Sequence, residues 1–295
     1  MAATGAAPLT PTASGLTTGI LPESKVVTAQ AARENFTVAS LLLPPSLRRP
    51  LLGIYGFARL TDDIGDEAPG DRATLLDWLE ADVDRMYDGT PIHPLVRRLA
   101  PSARELPLPK DPFLRLIEAN RQDQSVSRYE TYAELAAYCD LSANPVGELV
   151  LHVFGVSTAE RIKLSDAVCT GLQLTEHWQD VGEDFRRGRV YIPREDLAAF
   201  GVEEKDLAGP PASKPFKRLL AFEVARARGL LEQGRDLIRS LSGWARLAVT
   251  GYVSGGKAAL DAVERSDYEV LGEPPKASRM ARAAVLVREL TEGRA

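Results

Sequence analysis

The chain has 295 residues with 36 basic and 41 acidic side chains, a formal net charge of −5. A chain of this length buries enough apolar surface to fold without disulfides, and its 44% hydrophobic and 26% charged content excludes a disordered, collagen-like or rod-like protein. The mild acidity argues against a protein that coats nucleic acid, so we expect no nucleic-acid partner. Two cysteines, Cys139 and Cys169, and three histidines favour a reducing, cytoplasmic setting and suggest neither a disulfide framework nor a zinc site.

The N-terminal stretch 1–24 is rich in Ala, Thr, Pro and Gly, and this composition predicts a disordered tail. No basic segment followed by an apolar run precedes the first basic residue, Lys25, so we expect no secretory signal. The most apolar stretch, 146–156, is too short to cross a bilayer. We expect a cytoplasmic protein that can touch the inner membrane face peripherally without spanning it.

Apolar residues recur at helical spacing along the rest of the chain, and no stretch alternates with the period of a strand. Helices are predicted at roughly 46–68, 72–87, 113 onward, 129–154, 164–185, 214–241 and 243–270. Pro50 is expected in the opening turn of the first, and Asn144-Pro145 is expected to kink or break the helix at 129–154. The proline-rich stretch 91–112 is expected to hold a short helical piece at most.

No repeat or linker divides the folded part of the chain. The sequence therefore predicts a single all-α domain over residues 25–273, followed by a basic, loosely amphipathic C-terminal tail at 274–295.

Two of the predicted helices carry polar stripes with the same spacing. Each stripe holds four side chains at intervals of 4, 3 and 4 positions, the first formed by Tyr55, Arg59, Asp62 and Asp66 and the second by Gln173, His177, Asp180 and Asp184. Such spacing places each set on one helical face. Asp63, Glu67 and Glu183 add further negative charge. We call the two sets the first and second carboxylate stripes.

A single D-x-x-x-D stripe is most simply a solvated helix face. Here the other positions of both helices are apolar, which indicates burial, and buried carboxylates need cations. Arg59 alone cannot neutralise them, and Mg²⁺ prefers oxygen ligands that it shares with substrate phosphates. We therefore predict a magnesium site that clamps a diphosphate, with ligands Asp62, Asp63, Asp66, Asp180 and Asp184. The run Arg186, Arg187 and Arg189 either adds anion contacts or forms a solvated basic turn.

At these motifs the sequence resembles the squalene/phytoene synthases, over about residues 34–270. The resemblance rests on Y-x-x-x-R-x-x-D-D-x-x-D-E from Tyr55, on Q-L continuing to D-V-G-E-D from Gln173, and on G-R-V-Y-I-P from Gly188. The stretches E-N-F-T-V-A-S at 34–40 and Y-C-D-L-S-A-N-P-V-G at 138–147 are similar to one branch, the hydroxysqualene synthases of bacterial hopanoid pathways.

The sequence departs from the family pattern at three places. Glu176 stands where the condensing enzymes usually carry Asn, and Gln179 stands where they often carry Arg. Asn144-Pro145 replaces their small Gly-Thr type pair. These changes argue against a head-to-head condensation of two prenyl diphosphates, while they leave the metal-assisted ionisation of one bound diphosphate intact.

The resemblance implies an isoprenoid-synthase helical bundle with magnesium at the mouth of a central apolar cavity. Presqualene diphosphate would bind there, with Tyr55 and Arg59 stabilising the leaving diphosphate and Gln173 completing the catalytic set. Water would trap the rearranged cation and give hydroxysqualene, so no nicotinamide cofactor is expected, and no G-x-G-x-x-G is present to bind one. Asn144, or a backbone carbonyl freed by Pro145, would orient that water.

The resemblance also implies a set of substrate contacts, namely Phe36, Tyr138, Val146, His177, Arg189 and Tyr191. Core packing is an equally good interpretation of Phe36, Tyr138 and Val146, and a satisfied buried histidine is an equally good one of His177.

Two other functions stay open at this point. The protein could be a squalene or phytoene synthase that joins two farnesyl or geranylgeranyl diphosphates. It could also be a non-catalytic assembly factor with the same fold, but such a protein should have eroded carboxylates, and all four stripe aspartates are present. Upstream and downstream enzymes of the pathway are the expected protein partners.

Overall fold

The computed structural model describes residues 43–292 and shows one all-α domain, which confirms the predicted fold class. Its helices are α1 (Pro45–Asp66), α2 (Arg72–Asp88), α3 (Pro94–Glu105), α4 (Asp111–Gln122), α5 (Tyr132–Ser142), α6 (Asn144–Val153), α7 (Ala159–Arg186), α8 (Arg194–Phe200), a 3₁₀ turn (Glu204–Leu207), α9 (Lys214–Ser240), α10 (Gly243–Arg265) and α11 (Arg279–Glu292). Within this range the only β pairing is an isolated parallel bridge between Arg128 and Val190. The predicted tail at 1–24 and the stretch 34–40 lie outside the described residues.

The helix that carries the first carboxylate stripe, α1, packs its apolar face against α2, α3, α4 and α6. Phe57 is fully buried there and meets Phe113 of α4 edge to face, with ring centroids 4.9 Å apart. The prediction that Pro50 lies in the opening turn is wrong, because Pro50 is the sixth residue of α1 and sits inside the helix. The helix tolerates the lost amide donor because the apolar contacts of this face hold the flanking turns.

The proline-rich stretch forms a longer helix than predicted, since α3 runs for 12 residues. The buried carboxylate of Asp82 accepts hydrogen bonds from the backbone amides of Ile92 and His93, and this fixes the start of α3. Pro94 occupies the first turn, where its missing amide costs nothing. Leu99 is fully buried on the face that packs against α1, so tertiary contacts carry the helix past the internal Pro101.

The predicted break at Asn144-Pro145 is present, because α5 ends at Ser142 and α6 begins at Asn144. The start of α5, at Tyr132, is later than predicted. Residues 127–130 are extended and pair with 190–195 through bonds such as Val190 N to Ser127 O (3.0 Å) and Arg194 N to Tyr129 O (2.9 Å). Thr131 then caps α5 by accepting a hydrogen bond from the amide of Glu134.

The second carboxylate stripe lies on α7, which packs against α5, α6, α9 and α10. α7 begins at Ala159 rather than near 164, because the Thr158 side chain caps the amide of Arg161. Leu174 and Trp178 of α7 are fully buried in a cluster shared with α9 and α10. The stripe is therefore carried by a helix that packs against four others.

The C-terminal region is helical and docked. α10 ends at Arg265, earlier than predicted, where Asp267 and Tyr268 take positive φ values of 55° and 59° and turn the chain. Within the predicted basic tail, residues 279–292 form α11, which packs on α10. The fully buried Lys257 of α10 places its Nζ 2.9 Å from Glu289 Oε1 of α11, and Glu289 is itself buried.

Candidate active site

The first carboxylate stripe is held in place by side chains from three directions. Asp62 accepts a hydrogen bond from Nδ2 of Asn120 on α4, at 3.2 Å. Asp63 pairs with Arg59 one turn away, with Nε to Oδ1 at 2.8 Å. Asp66 pairs with Arg189, which follows α7, with Nη2 to Oδ1 at 2.7 Å. Arg59 thus serves as a counterion within its own stripe, while Asp66 is tied to the helix that carries the second stripe.

Two polar side chains next to the first stripe, one on α4 and one at its C-terminal cap, were missed by the sequence analysis. Asn120 lies against Gly65 of α1, where an added Cβ would come within 2.1 Å of Asn120 Oδ1. Asp123 accepts a hydrogen bond from the Tyr138 hydroxyl at 2.8 Å. A signal was available, because the apolar face of α4 at Leu116 becomes polar at positions 120 and 123, which lie on the same face.

The second stripe begins with Gln173, whose Nε2 lies 3.3 Å from Nε2 of His177. The imidazole of His177 stacks on the ring of Tyr191, with centroids 3.6 Å apart and planes 15° apart. Asp180 and Asp184 follow on the next two turns of α7. The predicted stripe is therefore a continuous polar surface that ends beside the Arg189 loop.

Arg189 joins the two stripes. Its guanidinium pairs with Asp66 of the first stripe, and its positive charge also acts on Asp184 of the second stripe and on Asp123, where it opposes part of the rise in pKa that burial causes. The backbone fixes this position, because Arg189 N donates to Asp184 O at 2.9 Å before the chain pairs with residues 127–130. Both stripes therefore face one cationic point.

An aromatic cluster, formed by Tyr129, Tyr138, His177 and Tyr191, lies directly behind this point. The Tyr129 and Tyr191 rings are 6.0 Å apart and the Tyr138 and Tyr191 rings are 5.9 Å apart, both between centroids. The extended pairing of 127–130 with 190–195 brings Tyr129 to Tyr191, which is why the periodicity of α5 alone did not indicate it. We call these four side chains the aromatic wall.

Burial raises the pKa values of Asp62 in the first stripe and of Asp180 and Asp184 in the second. Removal of water by the surrounding protein raises the pKa of Asp62 to about 7, with Asp66 adding repulsion, although Asp62 stays open to solvent on one side. Burial and then the charge of Asp180 raise the pKa of Asp184 to about 7. Burial also raises the pKa values of Asp63 and Asp180, and raises that of Asp123 to about 6. The site holds more negative charge than its own basic groups neutralise.

The aromatic wall is neutral by contrast. Burial, followed by the nearby charge of Arg189, lowers the pKa of His177 to about 3. Burial raises the pKa values of Tyr129, Tyr138 and Tyr191. At neutral pH the wall therefore presents uncharged ring faces next to an acidic cluster.

The donor set fits a magnesium site that is completed by a substrate. Within residues 43–292 no group of three or more His, Cys, Asp or Glu side chains is close enough to hold a metal by itself. Mg²⁺ commonly uses only one or two carboxylates and takes its other ligands from water and substrate phosphates. The carboxylate oxygens of Asp62 on α1 and Asp184 on α7, whose pKa values burial raises, suit that hard, oxygen-binding ion.

The remaining predicted site residues contact other parts of the fold. Asn144 is buried, and its amide donates to Asp140 Oδ1 at 2.6 Å and accepts from Thr170 Oγ1 at 3.1 Å. Val146 packs against the apolar cluster of α1–α4 and α6. Tyr55 lines a cavity of about 340 Å³ between α1 and α3. Phe36 lies outside the described residues.

The two unusual residues of the second stripe helix point in different directions. Gln179 donates from Nε2 to the backbone carbonyl of Pro275 at 2.7 Å, so it holds the segment between α10 and α11. Glu176 is exposed. Gln179 therefore ties this part of α7 to its own chain by a neutral hydrogen bond.

None of the helices between residues 43 and 292 has the length and apolar character needed to cross a membrane.

Comparisons with known proteins bear on the whole of this arrangement. The squalene/phytoene synthase family model matches residues 29–281. The 15-cis-phytoene synthase of Synechocystis sp. is 35% identical over 258 residues, which cover 83% of this chain and 76% of the relative. The hydroxysqualene synthase of Rhodopseudomonas palustris is 37% identical over 205 residues, which cover 69% and 70%.

Among solved structures, the squalene synthase HpnC of Alicyclobacillus acidocaldarius is 40% identical and superimposes with a TM-score of 0.77, over 83% of this chain and 94% of that one. A ligand-bound dehydrosqualene synthase, 23% identical, superimposes with a TM-score of 0.83 over 91% of this chain and 95% of that one, which shows a shared fold.

Proposed function

The chain belongs to the squalene/phytoene synthase family, and on that premise we propose that it is a magnesium-dependent enzyme that converts presqualene diphosphate and water to hydroxysqualene and diphosphate. The observation that carries the proposal is the junction at Arg189, where two carboxylate stripes and a neutral aromatic wall meet. Such a junction suits a reaction in which a diphosphate leaves and a carbocation stays behind.

The first task of the site is to hold the leaving diphosphate. Magnesium, held by Asp62, Asp63 and Asp66 on one side and Asp180 and Asp184 on the other, would neutralise the negative charge that develops on the leaving group. Arg59 and Tyr55 add donors along α1. The planar guanidinium of Arg189, which bonds Asp66 in this structure, can also offer two parallel hydrogen bonds to a phosphoryl group.

The second task is to stabilise the cation without reacting with it. The faces of aromatic rings attract cations, and the rings of Tyr129, Tyr138 and Tyr191 lie within 6.0 Å of one another. The imidazole of His177 is held neutral, so it does not repel a positive charge. Gln173, beside His177, can fix the imidazole tautomer through its amide.

The third task is to deliver water rather than hydride or a second prenyl chain. The break between α5 and α6 brings a polar side chain, Asn144, into the helix pair and ties it to Thr170 of α7. The amide still has one N–H and one lone pair beyond these bonds, which suffice to orient a water molecule. At Gln179, where condensing enzymes often carry arginine, the side chain bonds the chain's own backbone instead, which supports the turnover of a single diphosphate.

The experiment is a turnover of presqualene diphosphate with magnesium in ¹⁸O-labelled water. We expect a C30 alcohol that carries solvent oxygen, together with released pyrophosphate. Asn144→Ala should keep pyrophosphate release and shift the product toward other alcohol isomers or hydrocarbons. A product without solvent oxygen would contradict the proposal.

A second candidate, head-to-head condensation, is favoured by the phytoene synthases among the relatives, such as the one 35% identical to this chain. Farnesyl or geranylgeranyl diphosphate supplied alone separates the two reactions. Efficient coupling to a hydrocarbon would assign the chain to this second class. No pyrophosphate release from any of the three substrates would instead indicate an assembly factor.

A further inference from the structure

The outward face of α11 is apolar although nothing in the described chain covers it. Met280 is 83% exposed and Val287 is 60% exposed, against burial of Val285 on the opposite side. Ala283 and Ala284 are also exposed and lie between them. At 100° per residue these four side chains form one stripe along the helix, which we call the α11 stripe.

Arginines flank the stripe on both sides. By helical geometry Arg279 lies about 100° to one side of Met280, and Arg288 about 80° to the other. Both are exposed. Glu289, the next residue after Arg288, points inward to Lys257 and is buried. In a chain whose net charge is −5, the α11 stripe thus has an exposed arginine on each side.

The stripe begins close to the candidate active site. Before α11 the chain runs along the second stripe helix, where Arg186 Nη1 donates to Leu271 O at 3.2 Å and Gln179 bonds Pro275 O. Gly182 allows this approach, because an added Cβ would come within 2.4 Å of Leu271 O.

We propose that the α11 stripe docks the protein on an anionic lipid bilayer, with the helix lying in the plane of the interface. An amphipathic helix with an apolar stripe and basic flanks binds in this way, its apolar side chains at the acyl boundary and its arginines among the headgroups. Each arginine near such a surface strengthens binding by about fivefold. The inward side of α11 is fixed by Lys257 and by the alanines of α10, so the stripe is presented as a rigid surface.

A second copy of the chain fits this face less well. In a two-fold contact the same patch lies on both sides, so Arg279 and Arg288 of both copies would share one interface. Anionic headgroups complement these charges. The proposal goes beyond the reaction and holds whatever the product is.

The test is co-sedimentation of the full chain with vesicles of about 30 mol% phosphatidylglycerol in phosphatidylcholine, against phosphatidylcholine alone. Binding should require the anionic lipid and weaken as salt is raised. Two double variants test the surface, Met280→Ser with Val287→Ser and Arg279→Glu with Arg288→Glu. Each should lower the partition coefficient by at least about tenfold. Circular dichroism of each variant checks that the fold is kept.

Two control variants match these changes. Arg97→Glu with Arg104→Glu alters the net charge equally on the exposed side of α3, and Trp244→Ser removes an exposed apolar side chain at the far end of α10. Both should bind vesicles as the unaltered chain does. Equal losses in the controls, or unchanged binding in the α11 variants, would overturn the proposal. The proposal would also be overturned if the unaltered chain failed to bind vesicles and formed a dimer in analytical ultracentrifugation that the α11 variants did not form.

Discussion

Asp184→Asn should abolish turnover and yet stabilise the metal-free protein. Burial and the neighbouring Asp180 raise the pKa of Asp184 from 3.8 to about 7, so the charged carboxylate is unfavourable in the folded state. The corresponding amide is neutral and of the same size. It therefore removes the repulsion, but it is a poor ligand for magnesium.

The size and the pH dependence of the effect follow from the pKa. The rise of the Asp184 pKa from 3.8 to about 7 corresponds to about 4 kcal/mol of destabilisation by the charged carboxylate. We take about half of this value because Asp184 is partly open to solvent. The folded protein binds the extra proton between pH 3.8 and about 7, so its stability falls as pH rises through that window. The variant gains its full advantage above pH 7 and none below about pH 4.

Thermal unfolding in EDTA measures this directly. At about pH 8 the melting temperature of Asp184→Asn should exceed that of the unaltered chain by about 4–8 °C, and the difference should shrink toward zero at about pH 4.5. Asp88→Asn, an exposed carboxylate at the end of α2, is the control and should change little. A variant that melts lower at pH 8, or that gains equally at both pH values, would refute the reasoning. Adding magnesium should raise the melting temperature of the unaltered chain more than that of the variant.

The remaining predictions concern side chains around the site. Gly65→Ala should push Asn120 away, because the new Cβ would lie 2.1 Å from Oδ1 of Asn120. We expect a loss of about 1–3 kcal/mol in the free energy of unfolding in urea, together with slower pyrophosphate release. Unchanged stability would contradict the close contact. Arg189→Lys should lower kcat/KM for the diphosphate substrate by at least about tenfold, because an ammonium cannot make the two parallel hydrogen bonds that a planar guanidinium offers to a phosphoryl group. Unaltered kinetics would show that Arg189, which pairs with Asp66, does not bind the diphosphate. Arg59→Lys should likewise weaken diphosphate binding in steady-state assays, and if it leaves kinetics unchanged, Arg59 serves only as a counterion within α1.

Much of the framework could be predicted from sequence because it is periodic. The long helices α1, α7, α9 and α10 follow a regular apolar pattern, and the two carboxylate stripes stand out within it at fixed spacing. The break at Asn144-Pro145 could also be predicted from the sequence, because proline has no amide N–H to donate at that position. Local chemistry decides each of these features.

Features that depend on contacts distant in sequence could not be obtained in this way. α3 forms through Pro101 because Leu99 is buried against α1 and because Asp82 fixes its start, and neither is visible in the stretch itself. The aromatic wall needs the pairing of 127–130 with 190–195, a short segment that leads into the first turn of α8, and neither stretch has strand periodicity. The polar face of α4 pointed to Asp123, but only the structure shows that Asp123 accepts a hydrogen bond from the Tyr138 hydroxyl.

The ion pair between Lys257 and Glu289 sets a limit on where the chain can be shortened. The family match ends at residue 281, and a truncation there would look harmless by alignment. It would remove Glu289 and leave the fully buried Lys257 with Glu232, a half-exposed partner whose Oε1 is 2.9 Å away. Loss of one partner of a buried pair costs about 3–5 kcal/mol when nothing replaces it. Glu232 offsets part of that cost, but the truncation would also expose the face of α10 at Ala258 and Ala262 on which α11 packs. Truncated forms and C-terminal fusions of this protein should therefore keep the chain intact through α11.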